Sequence, residues 1–485
     1  MSVVLFLGEH VYKLKKPVCF PFADMSTREA RLASCHREVE LNRRLAPDVY
    51  DGVADVIGPD GMLCDHLVVM RRMPEDRRLS RLVEAGDPLV RSAMGDIARL
   101  LARFHSGATR SVEVAAEATR DAIAERWKRN DDQMRPLVGS CFERVELDWA
   151  ISLADRFLSG RSELFSHRIA LGCVCDGHGD LLADDIFLLD DGPRILDCIE
   201  FDDHLRYVDI VDDIAFLVMD LERLGATNLA DAFVEEYEEA SGHVVPRSLL
   251  NVCVAYRAQV RAMVAGLRAA QCDDPGERAP HEAEAAKLLH QCVGRLEIAS
   301  VRLVVVGGLP GTGKTTVANG MEERTGWSVL RSDVTRKELT GHRANDSAVA
   351  PYGAGIYTSE MSDRTYDALF NAARRSLALG ESVVIDASFV SNRHRAAARL
   401  LAAETGSELI ELRCTVPADV ARRRIRSRLA HGCDASDADP VVAARLAEVA
   451  DRWPESIEVP TDRSVGVAIE AALGWVLASP GRHRR

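Results

Sequence analysis

Long apolar runs and an excess of positive charge are both missing from this sequence of 485 residues. No apolar stretch approaches the ~18 residues that a membrane-spanning helix needs, so we expect no membrane association. The formal net charge is −14, and most of the acidic excess lies in residues 1–299. Because binding to a nucleic-acid backbone relies on many Lys and Arg contacts, we do not expect a nucleic-acid partner.

The sequence also lacks patterned cysteines, and we expect no secretory leader. The 12 cysteines form no Cys-x-x-Cys pair, whereas structural zinc sites need four ligands at characteristic spacings. Cys173 and Cys175 are therefore interpreted as buried or incidental thiols. A chain that begins in a strand-like segment and carries unpatterned thiols is predicted to be cytoplasmic.

The chain is predicted to form two domains and a connection between them. Residues 1–271 open with a β-hairpin, followed by a helix whose capping box pairs Ser26 with Glu29, and they become helical after a short β-rich region. Residues 272–299 are predicted to be a linker and a connecting helix. In residues 300–485 strands alternate with helices, a pattern typical of an α/β domain with a parallel sheet.

The strongest motif is GLPGTGKT at 308–315, which follows an apolar strand and precedes a helix. Its spacing is that of the P-loop, GxxxxGK[ST]. The glycines let backbone N–H groups surround the phosphates of ATP, Lys314 reaches the terminal phosphates, and Thr315 can bind Mg²⁺. The predicted nucleotide-binding residues are Gly308, Leu309, Pro310, Gly311, Thr312, Gly313, Lys314, Thr315 and Thr316.

Two carboxylates are predicted at the ends of later strands. "VLRSD" ends at Asp333, with Arg336 just beyond, and "VVID" ends at Asp386. Ligands of such sheets bind at the carboxyl ends of strands, so both side chains are expected near the γ-phosphate, with Asp386 as a metal ligand. The alternative for Asp333 is a helix N-cap. The Arg-rich stretch 422–432 is either a solvated helix face or a lid over the transferring phosphate.

These residues resemble the small P-loop kinases, a group that includes gluconate kinases, chloramphenicol phosphotransferases and polynucleotide 5′-kinases. The resemblance covers about residues 300–470 and implies a P-loop kinase domain. It further implies that Asp333 binds or deprotonates an acceptor hydroxyl and that Arg336 orients it. Arg424 or Arg428 would be the lid arginine.

A second phosphate-handling pattern begins at His178. His-Gly-Asp is followed by a short loop, the apolar strand IFLL, a turn and the strand RILD, which is the hairpin of a kinase catalytic loop leading to a metal-binding Asp. On this pattern Asp180 accepts the proton of an acceptor hydroxyl, Asp185 stands where kinases place Asn, and Asp197 binds Mg²⁺. The alternative is an acidic hairpin on a solvated surface.

This pattern resembles the aminoglycoside phosphotransferase and choline kinase superfamily, which implies an α+β, protein-kinase-like fold for the N-terminal domain. By this resemblance Lys15, with Lys13 as the second candidate, binds the ATP phosphates, Glu38 pairs with that lysine, and "VVMRRMP" is the hinge that holds adenine. Two features depart from the family: Asp185 replaces Asn, and no Gly-rich loop precedes the first hairpin.

Over nearly its full length the chain resembles bacterial proteins described as bifunctional aminoglycoside phosphotransferase-like and ATP-binding. We therefore expect a bifunctional ATP-dependent phosphotransferase that uses ATP and Mg²⁺ and takes a small-molecule hydroxyl acceptor. Two alternatives stay open: a regulatory ATP-binding protein with a degenerate N-terminal kinase domain, and a polynucleotide 5′-kinase. Neither the acceptor nor the oligomeric state follows from the sequence.

Overall fold

A computed structural model describes residues 2–20, 23–343, 358–431 and 439–478. The chain divides into two compact units. The first unit comprises Met1–Ser152 and Phe165–Leu296, and the second comprises Leu153–Leu164 and Glu297–Arg485. The second unit thus includes a short segment from the N-terminal half of the sequence.

An antiparallel four-stranded sheet opens the first unit, in the order β1-β2-β6-β5. The predicted hairpin is confirmed, since β1 and β2 pair along their whole length. Lys13 and Lys15 lie on one face of β2 because side chains alternate along a strand. The strands of this part are β1 (Ser2–Leu7), β2 (His10–Lys15), β3 (Cys19–Phe20), β4 (Ala23–Asp24), β5 (Tyr50–Ile57) and β6 (Leu63–Arg71).

Helix α1 (Arg28–Asn42) packs against β5 and β6. Its N-cap is Thr27, whose hydroxyl accepts a hydrogen bond from the N–H of Ala30 at 3.2 Å, so the predicted capping box of Ser26 and Glu29 is wrong. Ser26 instead donates its backbone N–H to the side chain of Asp24 at 2.9 Å, and it lies one residue before the N-cap.

The rest of the first unit is mainly helical, with two small strand pairs. β7 (Val174–Asp176) pairs with β10 (Tyr207–Asp209), and β8 (Ile186–Leu189) forms the predicted hairpin with β9 (Gly192–Ile195). Parts of α6, α7 and α11 belong to the second unit. The helices of this part of the chain are α2 (Leu79–Glu84), α3 (Leu89–Gly107), α4 (Val112–Ala116), α5 (Arg120–Met134), α6 (Arg144–Ser159), α7 (Ser162–Ala170), α8 (Ile210–Arg223), α9 (Thr227–Ser241), α10 (Arg247–Gln271) and α11 (Pro275–Ala299).

Part of the stretch predicted as a linker is helical. α11 begins at Pro275, where the missing N–H of proline is tolerated in a first turn, and the side chain of Asp274 accepts from the N–H of Glu277 at 3.3 Å. The polar, Pro-containing segment is therefore the first turns of a 25-residue helix.

Five parallel strands form the sheet of the second unit, in the order β12-β13-β11-β14-β15. The central strand β11 is buried at every position, as expected for a strand inside a parallel sheet. The strands are β11 (Arg302–Gly307), β12 (Ser328–Arg331), β13 (Val383–Asp386), β14 (Glu408–Thr415) and β15 (Ile457–Pro460). The helices are α12 (Lys314–Thr325), α13 (Ser332–Leu339), α14 (Ser359–Ala378), α15 (Asn392–Glu404), α16 (Ala418–His431), α17 (Pro440–Val449) and α18 (Val465–Val476).

The predicted position of Asp333 at the end of a strand is wrong. β12 ends at Arg331 and α13 begins at Ser332, so Asp333 lies in the first turn of the helix, where a carboxylate is favoured by the helix dipole. Arg331, not Asp333, is the N-cap. Asp386 does end β13, as predicted.

Within the described ranges, no helix is both long enough and apolar enough to cross a membrane.

Candidate active sites

The P-loop connects β11 to α12 at the centre of the parallel sheet. Gly308 and Gly311 have φ angles of 136° and 80°, which strain residues with a side chain. A Cβ would also lie 2.6 Å from the carbonyl oxygen of Cys414 at Gly308, and 2.7 Å from that of Ala421 at Gly311. Both glycines are therefore required by space as well as by backbone conformation.

Two polar residues at the start of α12 contact the P-loop and the end of β13. Lys314 Nζ donates to the carbonyl of Leu309 at 3.1 Å, and Thr315 Oγ1 donates to Asp386 Oδ2 at 2.6 Å. Burial raises the pKa of Asp386, although the charge of Lys314 and the hydrogen bond from Thr315 oppose it. A hydroxyl beside a carboxylate at this position fits a hard cation such as Mg²⁺.

A cavity of about 780 Å³ opens beside the P-loop, a volume typical of small-molecule sites. Arg336 Nη1 donates to Asp333 Oδ1 at 3.1 Å on its wall. Although Asp333 belongs to a helix, the structure brings it together with the other predicted residues. The predicted residues that line the cavity are Pro310, Gly311, Gly313, Lys314, Thr315, Thr316, Asp333, Arg336, Asp386, Arg424 and Arg428.

Helix α16 is tied to the P-loop through Thr461, which the sequence did not single out. Arg424 Nη2 and Nη1 donate to the carbonyl and hydroxyl of Thr461 at 2.7 and 3.1 Å. The Thr461 hydroxyl in turn donates to the carbonyl of Thr312 at 2.6 Å. Arg424 is therefore held beside the loop, and Arg428 lines the cavity one turn further along α16.

Sequence reasoning also missed an aromatic pair on the cavity wall. The rings of Tyr366 and His394 stack with centroids 3.7 Å apart. His394 Nε2 lies 3.0 Å from Asp363 Oδ1, and Arg393 Nη1 donates to Asp363 Oδ2 at 2.8 Å. These four residues come from α14 and α15, and no local motif marks them in the sequence.

In the first unit, both predicted lysines contact the same buried carboxylate. Lys13 Nζ lies 2.9 Å from Glu38 Oε1 and 2.5 Å from Asp197 Oδ1. Lys15 Nζ lies 2.5 Å from Glu38 Oε2 and also pairs with Glu200. Burial lowers the pKa of Lys13, but Glu38 and Asp197 outweigh it and hold the pKa well above its ordinary value. Lys13 is thus the lysine that reaches the predicted metal-binding Asp197.

The His-Gly-Asp loop follows β7 and is held by α8. Asp213 accepts hydrogen bonds from the N–H groups of His178 and Gly179, both at 2.8 Å, and lies 2.9 Å from His105 Nε2. Burial raises the pKa of Asp213, but the hydrogen bond from His105 and the neighbouring positive charges hold it below its ordinary value. Two helical turns later Asp220 accepts from the N–H of Ala183 at 2.9 Å. The only sequence signal for Asp213 and Asp220 is that both acids lie in the largely apolar segment that forms α8.

Three predicted carboxylates lie within electrostatic reach of one another. Burial raises the pKa of Asp180 to about 6. Burial and then the charges of Asp197 and Asp180 raise the pKa of Asp185 well above its ordinary value. Burial also acts on Asp197, but Lys13 outweighs it and lowers that pKa. Asp197 has a φ of 63°, which is uncommon for a residue with a side chain.

These carboxylates could supply only some of the ligands that Mg²⁺ requires. Across the described residues, no group of three or more His, Cys, Asp or Glu side chains is arranged to hold a metal ion. Mg²⁺ is commonly held by one or two carboxylates together with phosphate oxygens and water. A divalent cation between Asp185 and Asp197 would relieve the repulsion that raises the pKa of Asp185, so this pair fits such an ion.

Comparison with known proteins gives a family match for part of the chain and relatives along nearly all of it. The AAA domain family, AAA_33, matches residues 303–452. Uncharacterized protein Rv2004c of Mycobacterium tuberculosis strain H37Rv is 40% identical over 476 residues, which cover 96% of this chain and 93% of that protein. Uncharacterized protein Mb2027c of Mycobacterium bovis has the same identity and coverage.

Solved structures are similar to part of the chain. A sugar kinase from Janibacter sp. HTCC2649 is 23% identical and covers 36% of this chain and 94% of its own, with a TM-score of 0.28. The APS kinase CysC of Mycobacterium tuberculosis, in complex with AMPPNP and APS, is 20% identical. It covers 37% of this chain and 99% of its own, with a TM-score of 0.28.

The family match and the parallel sheet together support the predicted P-loop kinase fold of the second unit. A P-loop between a strand and a helix implies ATP binding. The family match begins at residue 303, so the protein-kinase-like fold of residues 1–271 stays a prediction.

Proposed function

The chain belongs to the same family as these mycobacterial proteins, and on that premise we propose that it is a bifunctional ATP-dependent phosphotransferase acting on hydroxyl groups of small molecules. The observation that carries the proposal is the cavity beside the P-loop, where Lys314, Asp333 and Arg336 face one space. That space is large enough for an acceptor beside the phosphates. We further propose a cytoplasmic location, with neither a nucleic acid nor a membrane as partner.

The second unit supports phosphoryl transfer with residues in separate roles. ATP supplies the phosphoryl group, and Mg²⁺ neutralises charge on its phosphates. The P-loop N–H groups and Lys314 hold the phosphates, and Thr315 and Asp386 hold the metal. Asp333 binds or deprotonates the acceptor hydroxyl, while Arg336 holds its carboxylate at 3.1 Å. Arg424 and Arg428 supply positive charge from α16.

The first unit supports a second active site of the aminoglycoside phosphotransferase type. Asp180 follows a loop whose backbone is fixed by Asp213, and it takes the proton of the acceptor hydroxyl. Asp185 and Asp197 hold Mg²⁺, and Lys13 binds phosphate beside Asp197. Glu38 on α1 pairs with both Lys13 and Lys15 and so positions Lys13.

The experiment that tests the second unit compares Lys314→Ala and Asp333→Asn in the full chain. Hydrogen bonds to charged groups contribute about 1.5–3 kcal/mol, so Lys314→Ala should weaken ATP binding roughly 10- to 100-fold. Asp333→Asn should leave ATP binding intact and lower transfer by ~10²- to 10⁴-fold, the usual range for a general base. Calorimetry with ATP and mass spectrometry of a metabolite extract incubated with ATP and Mg²⁺ measure the two effects.

Two exposed residues provide matched controls. Arg324→Ala changes a cation on α12 that pairs with Glu470 at 2.6 Å, and Asp367→Asn changes an exposed acid on α14. Neither residue lines the cavity, so both variants should behave as the parent chain. Unchanged ATP affinity in Lys314→Ala would contradict the assignment of the P-loop as the ATP-binding site.

A further inference from the structure

Helix α10 places two arginines beside the loop that carries Asp180. Arg257 and Arg261 are four residues apart and so lie on one face of the helix. Arg257 is buried, and its Nη1 donates to the carbonyl of Gly179 at 3.4 Å, immediately before Asp180. This contact defines the face of α10 that is turned toward the loop.

The charge of Arg257 is balanced inside the unit. Its Nε donates to Asp212 Oδ1 at 2.9 Å, and its guanidinium lies over the ring of Phe216, 4.7 Å from the centroid. Burial lowers the pKa of Arg257, but the charge of Asp212 and of other neighbours outweighs burial and holds that pKa above its ordinary value. Arg257 therefore stays charged, and it holds α10 against the loop.

Arg261 differs because its charge is not balanced by direct contact. Over the residues described, its guanidinium has neither an ion pair nor a hydrogen bond, although it is partly buried. Burial raises the pKa of Asp180, and Arg261 is the strongest of the charges that oppose this rise. The two groups thus interact without touching, so the guanidinium retains its donors for a ligand that also reaches Asp180.

We propose that Arg261 binds a carboxylate or phosphate group of the acceptor whose hydroxyl is held at Asp180. The acceptor of the first unit is then a hydroxylated anion and not a polycation such as an aminoglycoside. The planar guanidinium of Arg261 presents a fork of N–H donors that matches both anionic groups, and its positive charge repels a cationic group at the same position. This inference rests on the proposed phosphotransferase function of the first unit.

The reaction that follows is a simple transfer. Asp180 takes the proton of the acceptor hydroxyl, and the hydroxyl oxygen forms a bond to the γ-phosphorus of ATP. The bond from that phosphorus to the β–γ bridging oxygen breaks, and ADP leaves. Arg261 forms no bond in this step, so its role is to select and position the acceptor.

A binding experiment tests the anion site without requiring turnover. The full chain carrying Lys314→Ala is titrated with glycerol 3-phosphate, glycerate, glycerol and choline, before and after the additional change Arg261→Ala. We expect Arg261→Ala to weaken binding of one of the two anions at least ~10-fold, with partial retention in Arg261→Lys. The anion affected distinguishes a phosphate from a carboxylate group. Unchanged binding of both anions would overturn the inference.

The matched control is Arg268→Ala, because Arg268 is an exposed arginine about two turns further along the same helix. It should leave anion binding unchanged. ATP affinity should also be unchanged in Arg261→Ala, and a parallel loss of ATP binding would assign the arginine to the nucleotide and overturn the inference.

A product experiment separates this inference from the proposed function. The Lys314→Ala chain is incubated with ATP, Mg²⁺ and a metabolite extract, and products that disappear in Asp180→Asn are identified. Anionic acceptors whose KM rises in Arg261→Ala at constant kcat support the inference. Neutral or cationic acceptors unaffected by Arg261→Ala overturn it and leave the function intact. Failure to find any Asp180-dependent product counts against the function, whereas Arg261-dependent anion binding then still supports the site.

Discussion

On the proposed function, protonation of Asp180 limits turnover by the first unit at low pH. Burial raises its pKa to about 6, with Arg261 and Arg257 opposing the rise and Asp197 and Asp220 adding to it. A protonated carboxyl group cannot accept the hydroxyl proton, so kcat/KM of the Lys314→Ala chain should fall as the pH drops through about 6. Arg261→Ala removes an opposing charge and should move this midpoint upward. A pH–rate profile with a midpoint near the ordinary value for aspartate would contradict the assignment.

The same pKa has the opposite effect on stability. The folded state binds the Asp180 proton more tightly than the unfolded state does. Its contribution to the free energy of unfolding is therefore largest below the ordinary pKa of aspartate. That contribution is lost as the pH rises toward about 6. Asp213 behaves in the other sense, since its lowered pKa favours folding at higher pH and the contribution is lost on acidification.

Substitution of single carboxylates should separate proton transfer from metal binding in the first unit. Asp180→Asn should lower transfer by ~10²- to 10⁴-fold while leaving Mg²⁺-dependent ATP binding in place. Asp197→Asn should instead weaken that binding, because it removes the proposed metal ligand, which also pairs with Lys13. Asp185→Asn should be tolerated, since it removes one repelling charge and keeps an oxygen ligand. Calorimetry in the Lys314→Ala chain with and without Mg²⁺ measures the binding, and equal behaviour of the first two variants would contradict these roles.

Sequence patterns predict sites whose chemistry depends on residues close together along the chain. The P-loop and the His-Gly-Asp loop are such cases, because the chemistry needs a fixed local spacing. Asp213, Thr461 and Asp363 act through contacts with segments between about 30 and 150 residues away. No local pattern encodes these contacts, and folding alone brings them together.

At the scale of elements, the glycines of the P-loop couple the loop to α16. Gly311→Ala introduces a Cβ 2.7 Å from the carbonyl of Ala421 at a φ of 80°, a conformation that costs about 1–2 kcal/mol per residue with a side chain. We expect lower stability and weaker ATP binding. Gly474→Ala is the matched control, because it lies on an exposed part of α18 with nothing within 4 Å of the added Cβ. It should raise stability by about 1 kcal/mol, and thermal unfolding with calorimetry distinguishes the two.

Element types followed from periodicity, but element ends did not. Strand and helix alternation predicted the parallel sheet of the second unit, because a buried strand and an amphipathic helix have different patterns. The cap of α1 moved from Ser26 to Thr27, and β12 ended two residues before Asp333. At α1 the hydroxyl of Thr27 makes the cap, because adjacent polar residues compete for the same backbone N–H groups. At α13 the N-cap Arg331 makes no side-chain capping hydrogen bond, so no polar side chain marks that boundary in the sequence.

At the scale of the whole molecule, the second unit is discontinuous in sequence. Leu153–Leu164 belongs to it, and Arg161 Nη1 donates to the carbonyl of Thr405 at 2.5 Å. Gly160 lies so close that an added Cβ would overlap the same carbonyl. The sequence suggested a self-contained domain at 300–485, since nothing in residues 153–164 marks them as part of it.

A fragment of residues 297–485 should therefore unfold at a lower temperature than the same unit in the full chain. Gly160→Leu in the full chain should reproduce part of this loss, because the larger side chain cannot fit against Thr405. Gly107→Leu is a suitable control, since nothing lies within 4 Å of a Cβ at that position in α3. Equal unfolding temperatures for the fragment and the intact chain, measured by calorimetry, would contradict a structural role for the segment.

The alternation of side chains along β2 has a consequence for changes in chain length. Lys13 and Lys15 reach Glu38 together because they are two positions apart. One residue inserted between Gly8 and Lys13 would turn both lysines to the opposite face of the sheet, whereas two would turn them back. Insertions or deletions between the turn and this pair are therefore compatible with both contacts to Glu38 only when they comprise an even number of residues. An odd number would break both contacts at once.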